Sequence, residues 1–347
     1  MKTRLLLAIM FLALSCGREE IKFEAPRFNT SETREFEIIT GEQLWGGMSK
    51  IFKYGDIIAV VSYENGNPST WLHLFNLDGT ILSNMLTMGR GPLDAVYIKD
   101  AYLSDNMLYM FDYSDRKMIS VDMSKVRDDG YAVLDSYKIS GNGRLNYYAK
   151  TSNGSILCKY DPRMDGQTDS LGRMSLYSLC GDLISMWNES PFSSKEPSVR
   201  WYLESPASRQ AMSEDGDKFV IATSTGAVLE TFSLSHNKIE QIVTKYFVEP
   251  VIEKSGMNVS FGEKSIAGFG DICAKNKYLY AVYDGENYLS DSVLKFKNIA
   301  VFDWKGNALK EIRTNFRIES ICTEDEKTFY AVINDKERRA YIAKLTL

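Results

Sequence analysis

The sequence predicts an all-β protein, a six-bladed β-propeller whose ring is closed by an N-terminal strand completing the last blade. Three observations carry the prediction. Apolar runs are four to seven residues long, rich in Val, Ile, Tyr and Phe, bounded by Gly, Asn and Asp, and free of sustained helical periodicity. A polar turn followed by an apolar strand recurs six times along the chain. The last copy is one strand short, while a strand-like segment near the N-terminus has no neighbour in sequence.

The recurring unit reads GDIIAVVSY from Gly55, DNMLYMFDY from Asp105, NGSILCKYD from Asn153, DGDKFVIAT from Asp215, NKYLYAVYD from Asn276 and EKTFYAVIN from Glu326. Strands are expected to start at Ile57, Met107, Ser155, Lys218, Tyr278 and Thr328, at intervals of 50, 48, 63, 60 and 50 residues. A second strand running into a turn follows each: WLHLFNLDGT at Trp71, MISVDMSK at Met118, MSLYSLCGD at Met174, ETFSLSHNK at Glu230, NIAVFDWKGN at Asn298 and RAYIAKLTL at the C-terminus. Small sheets set radially about a channel repeat in this way. The sixth copy offers a strand around Ser320 and two more before the chain ends at Leu347. EFEIIT, residues 35–40, is expected to supply its fourth strand, pairing the two chain ends and removing two free sheet edges.

The unequal intervals place the extra length in connections. Residues 161–210 hold the long segments DPRMDGQTDSLG and WNESPFSSKEPSVRWYLESPASR, residues 249–270 form another long connection, and both are expected on one face of the ring. Loops of such length are uncommon unless functional or disordered.

The first residues give an address. Lys2 and Arg4 precede the apolar run Leu5–Leu14, then Ser15 and Cys16. This is the build of a secretory signal peptide, and its run is too short to span a bilayer, which takes about 20 residues. The Cys after a small residue resembles the lipobox of bacterial lipoproteins, with Ala13 where Leu is usual. The resemblance implies that Cys16 is acylated and becomes the first residue of the mature chain. The organisation is then a signal peptide at 1–15, a lipid anchor and linker at 16–34, and one propeller domain at 35–347. Gly17, Arg18, Glu19 and Glu20 resemble the export tag of Bacteroidetes lipoproteins, which implies an outer membrane lipoprotein, exposed at the cell surface or else on the periplasmic face. The membrane is thus one partner, reached through the anchor.

Charge narrows the others. The formal net charge of −5 becomes −7 when Lys2 and Arg4 leave with the signal peptide. An acidic chain is poorly suited to phosphate backbones, so nucleic acid is not an expected partner. Besides Cys16 the chain has Cys158, Cys180, Cys273 and Cys322, without a C-x-x-C pair; an oxidising envelope would allow disulfides among them but their spacing identifies no pairing, and Cys273 and Cys322, at equivalent places in two repeats, read as small buried residues.

Catalytic and metal motifs are sparse. The two histidines, His73 and His236, lie in different repeats, and neither H-E-x-x-H nor G-x-S-x-G occurs. No cofactor is implied. Asp100, Asp271 and Glu319, near the ends of inner strands, are the candidates for a divalent cation in the channel, as a metal-dependent hydrolase or lyase would need; acids at strand ends also cap turns. For binding, Arg90 stands between two glycines and could present a guanidinium to an anion, or simply form a turn between blades. Trp187, Arg200, Trp201 and Tyr202 lie in or beside the long third connection, and these are residue types that dominate binding hot spots. Packing of the loop on the ring would use them equally well. The reading that follows is a non-catalytic propeller recognising a protein or glycan.

Several stretches carry a family resemblance. GRGP at Gly89–Pro92 followed by Asp94, GFGDICAKNKYLYAVYDG at Gly268–Gly285, NIAVFDWKGNALKEI at Asn298–Ile312 and SEDGDKFVIA at Ser213–Ala222 together resemble the TolB-like six-bladed propeller lipoproteins of Bacteroidetes. The resemblance spans essentially the whole mature chain. It implies a fold and an envelope address, and no reaction.

Overall fold

Four strands in antiparallel sequence make each repeat a blade, and the strands that the sequence marked as apolar runs are the middle two. The computed structural model describes residues 21–43, 45–64, 69–127, 133–138, 145–160, 172–192, 208–255, 258–287 and 295–347. Two short strands come first, β1 (Thr30–Thr33) and β2 (Glu37–Ile38). Blade 1 holds β3 (Trp45–Tyr54), β4 (Ile57–Glu64), β5 (Thr70–Asn76) and β6 (Ile81–Thr87). Blade 2 holds β7 (Ile98–Ser104), β8 (Met107–Asp112), β9 (Lys117–Asp122) and β10 (Val133–Lys138). Blade 3 holds β11 (Leu145–Lys150), β12 (Ile156–Tyr160), β13 (Met174–Tyr177) and β14 (Leu183–Trp187). Blade 4 holds β15 (Ser208–Met212), β16 (Lys218–Thr223), β17 (Ala227–Ser233) and β18 (Glu240–Val248), and a separate hairpin of β19 (Ile252–Ser255) and β20 (Asn258–Phe261) follows it. Blade 5 holds β21 (Phe269–Lys275), β22 (Tyr278–Tyr283), β23 (Asn298–Asp303) and β24 (Ala308–Arg313). Blade 6 holds β25 (Arg317–Thr323), β26 (Thr328–Asn334) and β27 (Ala340–Thr346).

The expected strand starts agree with the second strand of every blade, the one difference being β12, which starts at Ile156 rather than Ser155. The reason lies in burial. A middle strand is covered on both faces by neighbouring blades, so β5, β17 and β26 are buried along almost their whole length and read as continuous apolar runs. An outermost strand faces water. β6 and β14 accordingly carry exposed residues through most of their length. The turn between first and second strands is built alike in all six blades, with a positive φ at Gly55, Asp105, Gly154, Gly216, Asn276 and Glu326. Only the tight hairpin geometry asks for this left-handed backbone, which explains the polar, glycine-rich signals in front of each run.

Apolar clusters fill the wedges between blades. One joins β4, β5 and β6 to β7, β8 and β9 around Leu72, Leu74, Leu108 and Met110. Another joins blade 6 to blade 1 through Ile51, Ile58, Val60 and Phe75 against Tyr330, Val332 and Ile342, and so closes the ring with side chains.

The N-terminal segment binds the outside of the ring. The backbone N–H of Glu24 donates to Tyr246 in blade 4 at 3.0 Å, and Phe23 meets the Tyr246 ring edge-on. Phe28 packs on Phe302, and β1 adds a fifth strand to blade 5, parallel to β24 with Ser31 opposite Glu311. Phe36 is buried, and its N–H donates to Asn315 Oδ1 at 2.9 Å. β2 then pairs antiparallel with β27, Glu37 opposite Lys344 and Ile38 opposite Ala343. The strand in blade 6 is thus two residues long where the sequence suggested six. Residues 24–34, read from the sequence as linker, instead lie along blades 4 and 5, because Phe23 and Phe28 find apolar partners and β24 offers an open edge.

Since strand direction alternates within a blade, the turns between second and third strands and the crossings to the next blade emerge on one face. The ends of β12, β14 and β18 lie at this face, which we call the loop face.

Candidate functional site

Six inner strands, β3, β7, β11, β15, β21 and β25, line the channel, and each begins at the loop face. In five of the six the pairing with the second strand slips near its start: at Gly46/Lys50, Ile98/Asp100, Leu145/Tyr147, Phe269/Asp271 and Ile318/Ser320. β15 pairs with β16 without a slip. A bulge bends its strand and re-aims the neighbouring side chain. Here the residues directly after the bulges include Lys50, Asp100, Asp271 and Ser320, one polar group from each of four blades.

These groups meet across the ring. Lys50 Nζ lies 2.7 Å from Asp271 Oδ1, joining blade 1 to blade 5. Asp271 Oδ2 accepts from Ser320 Oγ at 2.8 Å and from the Ile321 N–H at 3.0 Å. Ser320 Oγ in turn accepts from the Ile51 N–H at 3.1 Å. Asp100 accepts from its neighbour Ala101 N–H at 2.8 Å and, from blade 4, from Gln210 Nε2 at 2.5 Å. Burial opposes the charge on Lys50, yet the carboxylates of Asp271 and Asp100 outweigh it and raise the amine above its ordinary range. Burial also raises Asp100, with Lys50 and the Gln210 hydrogen bond acting against the shift. The hub is an ion pair whose carboxylate is completed by a hydroxyl and a backbone N–H, the form in which buried charge is tolerated.

Glu319 is one step nearer the loop face than Ser320. Burial pushes its carboxyl up to about 7, against the pull of Arg317 and Arg209, and Asn334 Nδ2 donates to it at 3.1 Å. The three acids proposed for a cation, Asp100, Asp271 and Glu319, therefore do reach the channel, but each has its own partners. Among the described residues no three His, Cys, Asp or Glu side chains gather as a ligand set. The positive charge beside Asp271 and Asp100 is the ammonium of Lys50.

On the loop face, Arg90 sits in the crossing from blade 1 to blade 2. Its side chain is 79% exposed, with Nη1 at 3.4 Å from Asp115 Oδ1. The loop beneath it is pinned. Asp94 accepts from the Thr87 hydroxyl and from the Gly91 N–H at 3.1 Å, Lys117 Nζ donates to Gly91 O at 2.9 Å, and Ser136 Oγ donates to Pro92 O at 2.7 Å. Gly89 and Gly91 fit because a Cβ at either would lie 2.6 or 2.5 Å from Asp94 Oδ2. Around Arg90 the crossing exposes Met88, Leu93 and Tyr97, and Tyr97 meets Trp71 and Tyr113 edge-on at 6.0 and 6.5 Å between centroids. The sequence reading found Arg90 and missed this apolar and aromatic surround, whose members come from three separate segments.

Trp187 is differently placed. It ends β14 with its ring edge-on to Phe232 of blade 4 at 5.8 Å, inside the wedge between blades, and so packs the fold rather than the loop face. Strand alternation aims it inward along with Ser185, whose Oγ accepts from the Ile239 N–H of blade 4. Beside it lies a buried ion pair that the sequence did not signal, Arg173 to Glu230, with side chains 3% and 1% exposed; Arg173 Nη1 donates to Glu230 Oε1 at 2.9 Å. His73 is buried in β5 between Ser62 O and Asn84 Oδ1. The four cysteines after Cys16 are unpaired, and burial pushes the Cys158 and Cys322 thiols up to about 12. Cys16, Arg200, Trp201 and Tyr202 lie outside the described residues.

Comparison with known proteins agrees with this architecture. An exported protein of Bacteroides fragilis, so described, superposes with a TM-score of 0.59 at 11% identity, covering 94% of this chain and 98% of its own. A catalytically inactive virginiamycin B lyase of Staphylococcus aureus, in a structure with quinupristin, is looser, with a TM-score of 0.48 at 12% identity over 90% of this chain and 99% of its own. At 11% identity the likeness to the Bacteroides fragilis protein concerns the fold and transfers no chemistry. No curated protein matches the sequence. The family model described as TolB-like 6-blade propeller-like matches residues 48–326, and the chain belongs to that family.

Proposed function

We propose that this protein is a cell-envelope lipoprotein, held at the outer membrane by acyl chains on Cys16, and that it binds a protein or glycan partner with its loop face. The observation that carries the reading is the platform around Arg90: a 79% exposed guanidinium on a loop pinned by Asp94, Lys117 and Ser136, next to exposed Met88, Leu93 and Tyr97. A rigid loop holding an arginine beside apolar and aromatic surface is the make-up of a binding hot spot, since little freedom is lost when a partner docks. The hub supports the same reading from inside, because its carboxylates serve to hold blades together.

Two experiments test it. Metabolic labelling with palmitate should mark the native chain and not Cys16→Ala, and an unlabelled native chain would remove the anchor from the proposal. Cross-linking on intact cells and a glycan array should each be run with native protein and with an Arg90→Ala/Tyr97→Ala variant. Capture of one partner by the native protein alone is the expected result; capture unchanged in the variant would overturn the site.

A further inference from the structure

The mouth of the channel at the loop face is lined by two arginines with different surroundings from Arg90. Arg317 is the first residue of β25 and is half-buried, and its side chain makes no hydrogen bond or ion pair among the described residues. Arg209, second in β15, is half-buried as well and donates from Nε to Gly270 O of blade 5. Its two terminal nitrogens have no acceptor among the described residues. Both guanidiniums act on the same carboxyl, that of Glu319, yet neither pairs with it. A guanidinium drawn partly out of water without an acceptor is at a disadvantage, and an oxyanion that accepts two parallel N–H bonds relieves it.

Among the described residues the other charges near the mouth offset the arginines only in part. Facing Glu319 are Arg317 on its own strand, Arg209 from β15, Asp271 from β21 and the Asn334 amide at the end of β26. Asp271 is paired with Lys50, and Asp100 is bonded to Gln210. Burial keeps Glu319 protonated in about half the molecules near neutral pH and in most of them below it. The inner strands thus present two arginines above a hub of one ammonium and two carboxylates, Lys50 with Asp271 and Asp100, which offsets the arginines only in part.

We propose that this mouth is an anion-binding site, in which Arg209 and Arg317 together hold a carboxylate or phosphate group of a ligand entering from the loop face. The site goes beyond the surface recognition around Arg90, since its residues belong to the channel and come from blades 4 and 6. Ligand binding there would tie those two blades across blade 5.

The test is calorimetric titration of the protein, below neutral pH, with inorganic phosphate and separately with succinate. Saturable binding of either anion is expected, phosphate alone assigning a phosphate-bearing ligand and succinate alone a carboxylate-bearing one. Arg317→Gln should weaken it by about tenfold or more, the scale of a lost charge-assisted fork, while Arg90→Gln leaves it unchanged. Arg209→Lys and Arg317→Lys, which keep the charge, should retain part of the affinity and provide the comparison if the glutamine variant does not fold. No saturation with either anion in the millimolar range, or equal affinity in a folded Arg317→Gln protein, would overturn the assignment. Loss in Arg90→Gln with none in Arg317→Gln would move anion binding to the surface platform and equally end this proposal, without touching the partner reading.

Discussion

Lys50 and Asp271 meet at 2.7 Å although 221 residues and one intervening blade separate them. The pair crosses the channel from the first blade to the fifth, and a hydroxyl and an N–H from the sixth complete the carboxylate's bonds. Ring closure therefore has a polar component at the axis as well as the apolar wedge between blades 6 and 1. Asp271→Asn would leave the ammonium without its partner in a largely desolvated place. We expect a loss of about 3–5 kcal/mol in urea unfolding, the range for breaking one side of a buried pair. A Lys50→Met/Asp271→Asn double variant should lose less than the two single losses added together. Additive losses would mean that the pair does not interact.

Arg173 and Glu230 form the second buried pair, between blades 3 and 4. Glu230→Gln should cost about 3–5 kcal/mol by the same measure, because the guanidinium loses its charged acceptor in blade 4. Blade 3 should then show faster hydrogen exchange than blade 1. Uniform exchange across the ring would argue against a local clamp.

Glu319 makes stability depend on pH. Its carboxyl is held up to about 7 in the fold, against an ordinary value of 4.5. Between those two values the native protein binds more protons than the unfolded chain, so stability declines as pH rises through that window and levels off above it. The full decline is roughly 3 kcal/mol at most, from the size of the shift. Glu319→Gln should flatten the profile and make the protein more stable than wild type at alkaline pH. A profile that keeps its slope in the variant would place the titration elsewhere.

The Arg90 platform rests on Asp94. Asp94→Ala removes the acceptor of the Gly91 N–H and should cost about 1–2 kcal/mol in thermal unfolding. Gly91→Ala pushes a methyl against the same carboxylate and should be at least as damaging alone. In the Asp94→Ala background the added methyl has room, so the second substitution should then cost little.

Thiol chemistry separates the cysteines. Cys180 is exposed, while burial raises the thiols of Cys158, Cys273 and Cys322 above their ordinary range. Iodoacetamide at neutral pH should label Cys180 in the folded protein and the other three after unfolding, as peptide mass spectrometry would read. Early labelling of Cys322 would contradict its burial.

Much of the fold was legible because burial in a propeller leaves a plain trace. Middle strands such as IIAVVSY and TFYAVIN are largely apolar, since both of their faces are covered, and a left-handed turn residue precedes each. Outer strands were hard to read for the converse reason. LISMW of β14 is exposed through most of its length, and β1, TSET, owes its strand conformation to the open edge of β24. Asp100 and Asp271 were found near strand ends, but Lys50 was not, because the strand that carries it begins WGGMSK and lacks an apolar run.

By itself, then, the order of residues determined the number of blades, their boundaries to within a residue at the second strands, and an N-terminal segment belonging near the last blade. Periodicity and turn chemistry act locally, so they can be read along the chain. Which polar groups face one another was decided only in three dimensions. A two-residue irregularity in β3 and one-residue bulges in β7, β21 and β25 turn Lys50, Asp100, Asp271 and Ser320 toward a common axis, and strand alternation with packing sends Trp187 into a wedge while Arg90 stays in solvent.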